Sequence, residues 1–240
     1  MALHSISSYE AVLIPLAVPD AAIDALLPRG LVRAPQSTTP PGTHPVLLPL
    51  ARNFDTRPSW PPLFRLDYLE YSVVVPYITR TGSTTPLTYI PILFLNRWFP
   101  IIFGRLAYGF PKIFANIETV QPHYAAQRSS GATLVEADLV PSGAPMPPAS
   151  YPHFGDIAAM LRFPIVSHWM GLVYVCSTMD WGLDTVARLR PASGELRMTA
   201  DFFPNLERAD YAVEGIDRGP LGAFHLTTTW TLSLPHRCPD

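Results

Sequence analysis

FPIIFGRLAYGFPKIFANIE, residues 99–118, contains the single lysine of the chain, Lys112, placed behind a Gly-Phe-Pro turn and among Tyr108, Phe110 and Phe114. The other sixteen basic residues are arginine. GC-rich coding favours arginine wherever a surface positive charge suffices. The surviving lysine is therefore conspicuous, because a guanidinium cannot lose its proton and attack a carbonyl as an amine can. An amine with a reference pKa of about 10.4 becomes nucleophilic at neutral pH when desolvation disfavours its ammonium form. The competing reading is a stem lying on apolar surface with its ammonium in water. The residues alone leave both open.

Around this segment the chain reads as mainly β. Residues 71–78, 87–95, 101–106, 132–140, 172–177, 195–202 and 224–234 are rich in Val, Ile, Thr and aromatics and are bounded by turn formers, so each is expected to be a strand. The 28 prolines argue against long helices. Short helices are expected at 20–27, capped by Asp20, at 157–163 and at 180–189. The proline-rich stretches 35–45 and 141–152 read as loops. Many short strands with few helices predict a mainly antiparallel barrel or sandwich, with a barrel closed on itself preferred. Nearly continuous apolar strands such as 89–95 suggest burial on both faces, by further strands or by another subunit.

With 240 residues, 48% hydrophobic and 15% charged, the chain can fill one large core, and a single domain over 1–240 is expected. No apolar run reaches the roughly 18 to 20 residues of a membrane span. The apolar stretch 11–18 is broken by Pro15 and lacks the features of a leader, so a cytoplasmic location is expected. A net charge of −2 without charge blocks predicts neither nucleic acid nor membrane as partner. Cys176 and Cys238 are expected to be free thiols. The seven histidines show no metal-ligand spacing, and no metal or other cofactor is expected. Trp230 and the threonines of 227–231 are expected to pack in the barrel.

Gly104-Arg105, then Gly109-Phe110-Pro111-Lys112, then Ala115, resembles the signature of the acetoacetate decarboxylase-like superfamily, GRE-x-x-G-[FY]-P-K-K-x-A. Tyr68-x-Glu70, the strand that follows it, and Asn96 keep the order expected for that family. The resemblance is firm over residues 68–118 and general elsewhere. It implies a barrel or double barrel of the acetoacetate decarboxylase type with a few short helices. It also implies a homo-oligomer, a Schiff base on Lys112 and a pocket glutamate at Glu70. The second lysine of the signature is Ile113 here and its glutamate is Leu106. The arginine and the acidic residue associated with acetoacetate have no counterpart around Ser7 and Leu48. These departures count against acetoacetate itself and leave the imine chemistry intact.

The expected activity is a cofactor-independent lyase acting on a small-molecule keto acid or ketone. Lys112 and Glu70 would be catalytic, and Arg105, Tyr108 and Phe110 would hold substrate. Arg105 could alternatively pair with a carboxylate that holds the barrel. Decarboxylation of a β-keto acid is the first reading. The second is an aldolase-dehydratase that uses a 2-keto acid enamine in secondary metabolism. A barrel that binds a hydrophobic ligand without catalysis, or acts as a cyclase, is the rival from another class.

Overall fold

The computed structural model describes residues 4–59, 65–169, 171–206 and 210–239. Two 16-residue strands, β1 (His4–Pro19) and β3 (Thr43–Pro58), pair antiparallel along almost their whole length, with Leu13 opposite Pro49 and Ile14 opposite Leu48. Between them lie the short helix α1 (Asp20–Asp24) and the strand β2 (Leu31–Arg33). Then follow β4 (Leu66–Arg80), β5 (Leu87–Leu95), α2 (Trp98–Tyr108) and β6 (Lys112–Phe114). A meander of β7 (Asn116–Val120), β8 (His123–Gln127) and β9 (Thr133–Pro141) leads to α3 (Phe154–Arg162). The chain continues through β10 (Ile165–Trp169), β11 (Val173–Ser177), β12 (Met179–Asp180), β13 (Arg188–Met198), β14 (Asp210–Val213) and β15 (Phe224–Ser233).

One mostly antiparallel sheet holds these strands in the order β11-β10-β5-β4-β3-β1-β15-β13-β9-β8-β7. The expected closed barrel is corrected here, because the ladder of the described residues does not return on itself. The outer edge of β5 explains why. It is shared by two parallel partners, with β10 at Thr88 and Tyr89 and β6 at Leu93 to Leu95, so the sheet forks instead of closing.

The central strands are buried on both faces, as their continuous apolar sequence suggests. On β1, Val12, Ile14, Leu16 and Val18 face one core while Tyr9, Ala11 and Leu13 face a second. On β3, Val46, Leu48 and Leu50 alternate in the same way with Leu47 and Ala51. Both cores are supplied from within the chain. The second, covered by α2 and α3, surrounds the lysine.

Several sequence expectations change. Residues 101–106 lie in α2, not in a strand. Their β-type composition obscured the helical spacing of buried Ile101, Gly104 and Tyr108, and the helix stops at left-handed Gly109 (φ 70°). Helix α1 ends at Asp24, and Asp20 makes no cap but pairs with Arg33 at 2.8 Å. No helix forms over 180–189: Asp180 ends β12, residues 181–187 form a turn, and β13 starts at Arg188 and ends at Met198. Cys176 and Cys238 are joined in a disulfide, both buried. The tail brings them together, since Cys176 and His236 exchange backbone hydrogen bonds of 2.9 Å across 60 residues of sequence. No helix among the described residues is long and apolar enough to cross a membrane.

Candidate active site

Strands β5 and β6 run parallel, with Leu93 opposite Lys112. A parallel pair needs a crossover, and α2 supplies it. The crossover makes each residue of the Gly-Arg…Gly-Phe-Pro-Lys segment intelligible. The Lys112 stem lies against Gly104, where a Cβ would sit 2.5 Å from Cδ and Cε and 3.0 Å from Nζ. The Arg105 Nε donates to the Lys112 carbonyl at 2.7 Å and ties the helix to the strand it precedes. Gly109 combines a positive φ with close contact, since a Cβ there would meet the Trp169 Cα at 2.7 Å. Nearby, Ser167 Oγ donates to the Tyr108 carbonyl. The Tyr108 and Phe110 rings stack with centroids 5.6 Å apart, and Ala115 is fully buried.

Lys112 is 8% exposed. Its Nζ lies 3.7 Å from Glu70 Oε2 and about equally far from the Tyr68 and Phe110 ring centroids, at 5.8 and 5.9 Å. Burial pushes the lysine pKa below its usual range, and the Glu70 carboxylate opposes that shift. Burial also raises the Glu70 pKa, with Lys112 opposing. Desolvation thus drives both groups toward the uncharged pair of amine and carboxylic acid. The buried hydroxyls of Tyr9 and Tyr68 are held protonated, by burial first and then by the Glu70 charge.

Two chambers meet at the amine, with Tyr68, Phe110, Lys112, Trp230 and Leu232 in the walls of both. The inner chamber is lined by alternate β4 residues, Glu70, Ser72 and Val74, and by apolar side chains including Leu13, Leu47, Ile90, Met160 and Leu161. The outer chamber is lined by Ser5, Thr56, Arg57, Phe99, Phe103 and Tyr108 among others, with the Ser5 and Tyr108 hydroxyls hydrogen-bonded at 3.1 Å.

Of the residues singled out in the sequence, Lys112, Glu70, Tyr108 and Phe110 converge on this cavity. Arg105 does not. It is exposed, lines neither chamber, and its Nε donates to the Lys112 carbonyl. Ile113 points to the opposite side of β6 and is 37% exposed, so the missing second lysine leaves the cavity unaltered. Trp230, expected simply to pack, forms a wall of both chambers, with its Nε1 donating to Asn53 Oδ1 at 2.9 Å. Sequence reasoning missed Tyr9, Arg57 and Trp181. They come from β1, β3 and the segment before β13, and no local motif ties those segments to the lysine. Tyr68 was legible through its two-residue step from Glu70, which puts both on one face of β4. His168 stacks on Tyr174, and His225 bonds Glu10; neither lines the cavity.

No family model matches the chain, and no curated protein matches it in sequence. Solved structures do match, and they define its class by fold: that of acetoacetate decarboxylase and the enzymes built like it. Acetoacetate decarboxylase from Legionella pneumophila subsp. pneumophila str. Philadelphia 1 superposes with a TM-score of 0.64 at 16% identity, over 100% of this chain and 88% of its own. An acetoacetate decarboxylase-like enzyme from Sphingomonas wittichii RW1 gives 0.62 at 16%, covering 100% and 94%. The enduracididine biosynthesis enzyme MppR, in complex with pyruvate, gives 0.62 at 18%, covering 97% and 89%.

Proposed function

We propose that this chain is a cofactor-independent lyase that works through a Schiff base on Lys112 and decarboxylates a β-keto acid. We further propose that residues 1–240 act as one domain and that the protein assembles as a homo-oligomer. The observation that carries the chemistry is the single lysine, desolvated in an apolar cavity with its amine 3.7 Å from Glu70.

In this reading the neutral amine adds to the ketone carbon, Glu70 gives its proton to the departing hydroxyl, and water leaves an iminium. The bond to the carboxylate breaks, its electron pair moves toward the iminium nitrogen, and carbon dioxide departs from an enamine. A proton taken up from solvent adds to the enamine carbon, and hydrolysis by one water releases the ketone, restores the amine and returns a proton to Glu70. Arg105 holds the strand that presents the amine.

An aldol addition followed by dehydration is the second reading. Two chambers meeting at one amine can seat an enamine and an aldehyde together, and one structure of MppR holds the condensation product of pyruvate and imidazole 4-carboxaldehyde.

The test is borohydride reduction with panels of β-keto and 2-keto acids, read by intact mass and by mapping the adduct to Lys112. Lys112→Arg should fold normally, form no adduct and lose turnover. Wild-type activity in that variant would end the Schiff-base reading. Binding of ligand without any adduct would favour a non-catalytic barrel.

A further inference from the structure

The two chambers differ in exposure and charge, and the difference constrains which way a substrate lies. The inner chamber is deep: Leu13, Leu47, Thr88, Met160 and Leu161 in its wall are buried. Glu70 and Lys112 are its ionisable carboxyl and amine, and no arginine lines it. The outer chamber reaches the surface through Phe99 and Phe103, which are 50% and 43% exposed. Arg57, ion-paired with Asp55, is the one cation besides Lys112 among the described residues lining either space.

We infer that the site selects β-keto acids whose ketone carries a long aliphatic or aromatic chain, with that chain in the inner chamber and the carboxylate turned toward Arg57 in the outer one. This rests on the Schiff-base reading of Lys112. With the carbonyl carbon at the amine, the two substituents of a ketone must point into the two chambers that meet there. A carboxylate sent inward would face Glu70 and mostly apolar walls with no cation beyond the Lys112 nitrogen, which both chambers share, and so would be a poorly compensated buried charge. Sent outward, it meets Ser5, Thr56 and Arg57. The other substituent then fills the space among Leu47, Val74, Ile90, Met160 and Phe163. A methyl group would leave most of those walls without contact partners. Each further methylene removed from water should raise kcat/KM by about fourfold until the chamber is full.

The experiment measures kcat/KM and borohydride adducts for straight-chain 3-oxo acids from four to twelve carbons and for 3-oxo-3-phenylpropanoate. The expected result is a steep rise with chain length followed by a plateau. Val74→Phe should abolish the gain beyond about six carbons, and Phe163→Ala should move the plateau to longer chains. Arg57→Gln should weaken all the acids by a similar factor, about tenfold, while leaving inhibition by long methyl ketones unchanged. Adducts formed equally well by short and long acids, or Val74→Phe and Phe163→Ala variants that change all chain lengths alike, would overturn the inference and leave the Schiff base standing. Loss of long-chain methyl ketone inhibition in Arg57→Gln would overturn the assigned orientation. No adduct with any acid would sink both proposals.

Discussion

Lys112 and Gly104 are joined by space rather than by a bond. The missing Cβ of Gly104 is the volume through which the lysine stem reaches the cavity. Gly104→Ala should therefore separate stability from chemistry. Alanine in a helix interior is favoured over glycine by about 1 kcal/mol. The atoms it would strike are the mobile end of one side chain, which can swing aside. The expected outcome is a thermal midpoint equal to or above wild type together with a fall of about 100-fold in borohydride trapping and turnover, the scale of loss that a 1 Å misplacement causes. Full trapping in that variant would show that the amine does not depend on this contact. Glycine in the signature was legible as a motif. Its reason was not, since the contact spans eight residues and a change from helix to strand.

The elements around the site depend on pairings that sequence order hides. Helix α2 carries strand-like residues, yet it must be a crossover because β5 and β6 run parallel. The tail holds to β11 by backbone bonds at His236 and by the disulfide from Cys238 to Cys176, which closes a loop of 62 residues. A loop of that length constrains the unfolded chain by about 4 kcal/mol in the chain-entropy account. Cysteine pairing is uncommon in a reducing cytosol, so the expectation of a cytoplasmic protein meets a direct test here. Protein isolated with its thiols blocked should show no free cysteine after denaturation. Cys238→Ser should unfold at lower denaturant, by about 2 to 4 kcal/mol, with the Lys112 adduct unaffected because neither cysteine lines the cavity. Two titratable thiols in the isolated protein would contradict the pairing.

At the scale of the molecule, the apolar strand faces that suggested a partner are covered within the chain by its two cores. The case for association moves to α2. Trp98, Ile102 and Leu106 are 62%, 55% and 60% exposed on its outer side, and Leu172, at 76%, lies in the turn after β10. A helix apolar on all sides is usually covered. Trp169 Nε1 donates to the Leu106 carbonyl, which ties that turn to the same patch. Sedimentation at micromolar concentration should show an oligomer. The double variant Ile102→Glu, Leu106→Glu should dissociate it without touching either chamber, since neither residue lines one. A monomeric wild type would remove the argument.

The sequence by itself determined the β-rich class, six of the twelve strands from β4 onward, the helix ending at Arg162, and the lysine with its glutamate and aromatic neighbours. Each of these rests on local composition, on two-residue alternation or on a motif within one short segment. Tertiary structure alone decided that the sheet forks at β5, that residues 101–106 coil into a helix, that Arg105 holds the backbone of Lys112 and that the two cysteines meet. It also decided which distant residues line the cavity. Tyr9, Arg57, Met160 and Trp230 share a site with Lys112 because strand register and the packing of α3 bring them there. Register is a property of paired strands, written in no single stretch of the chain.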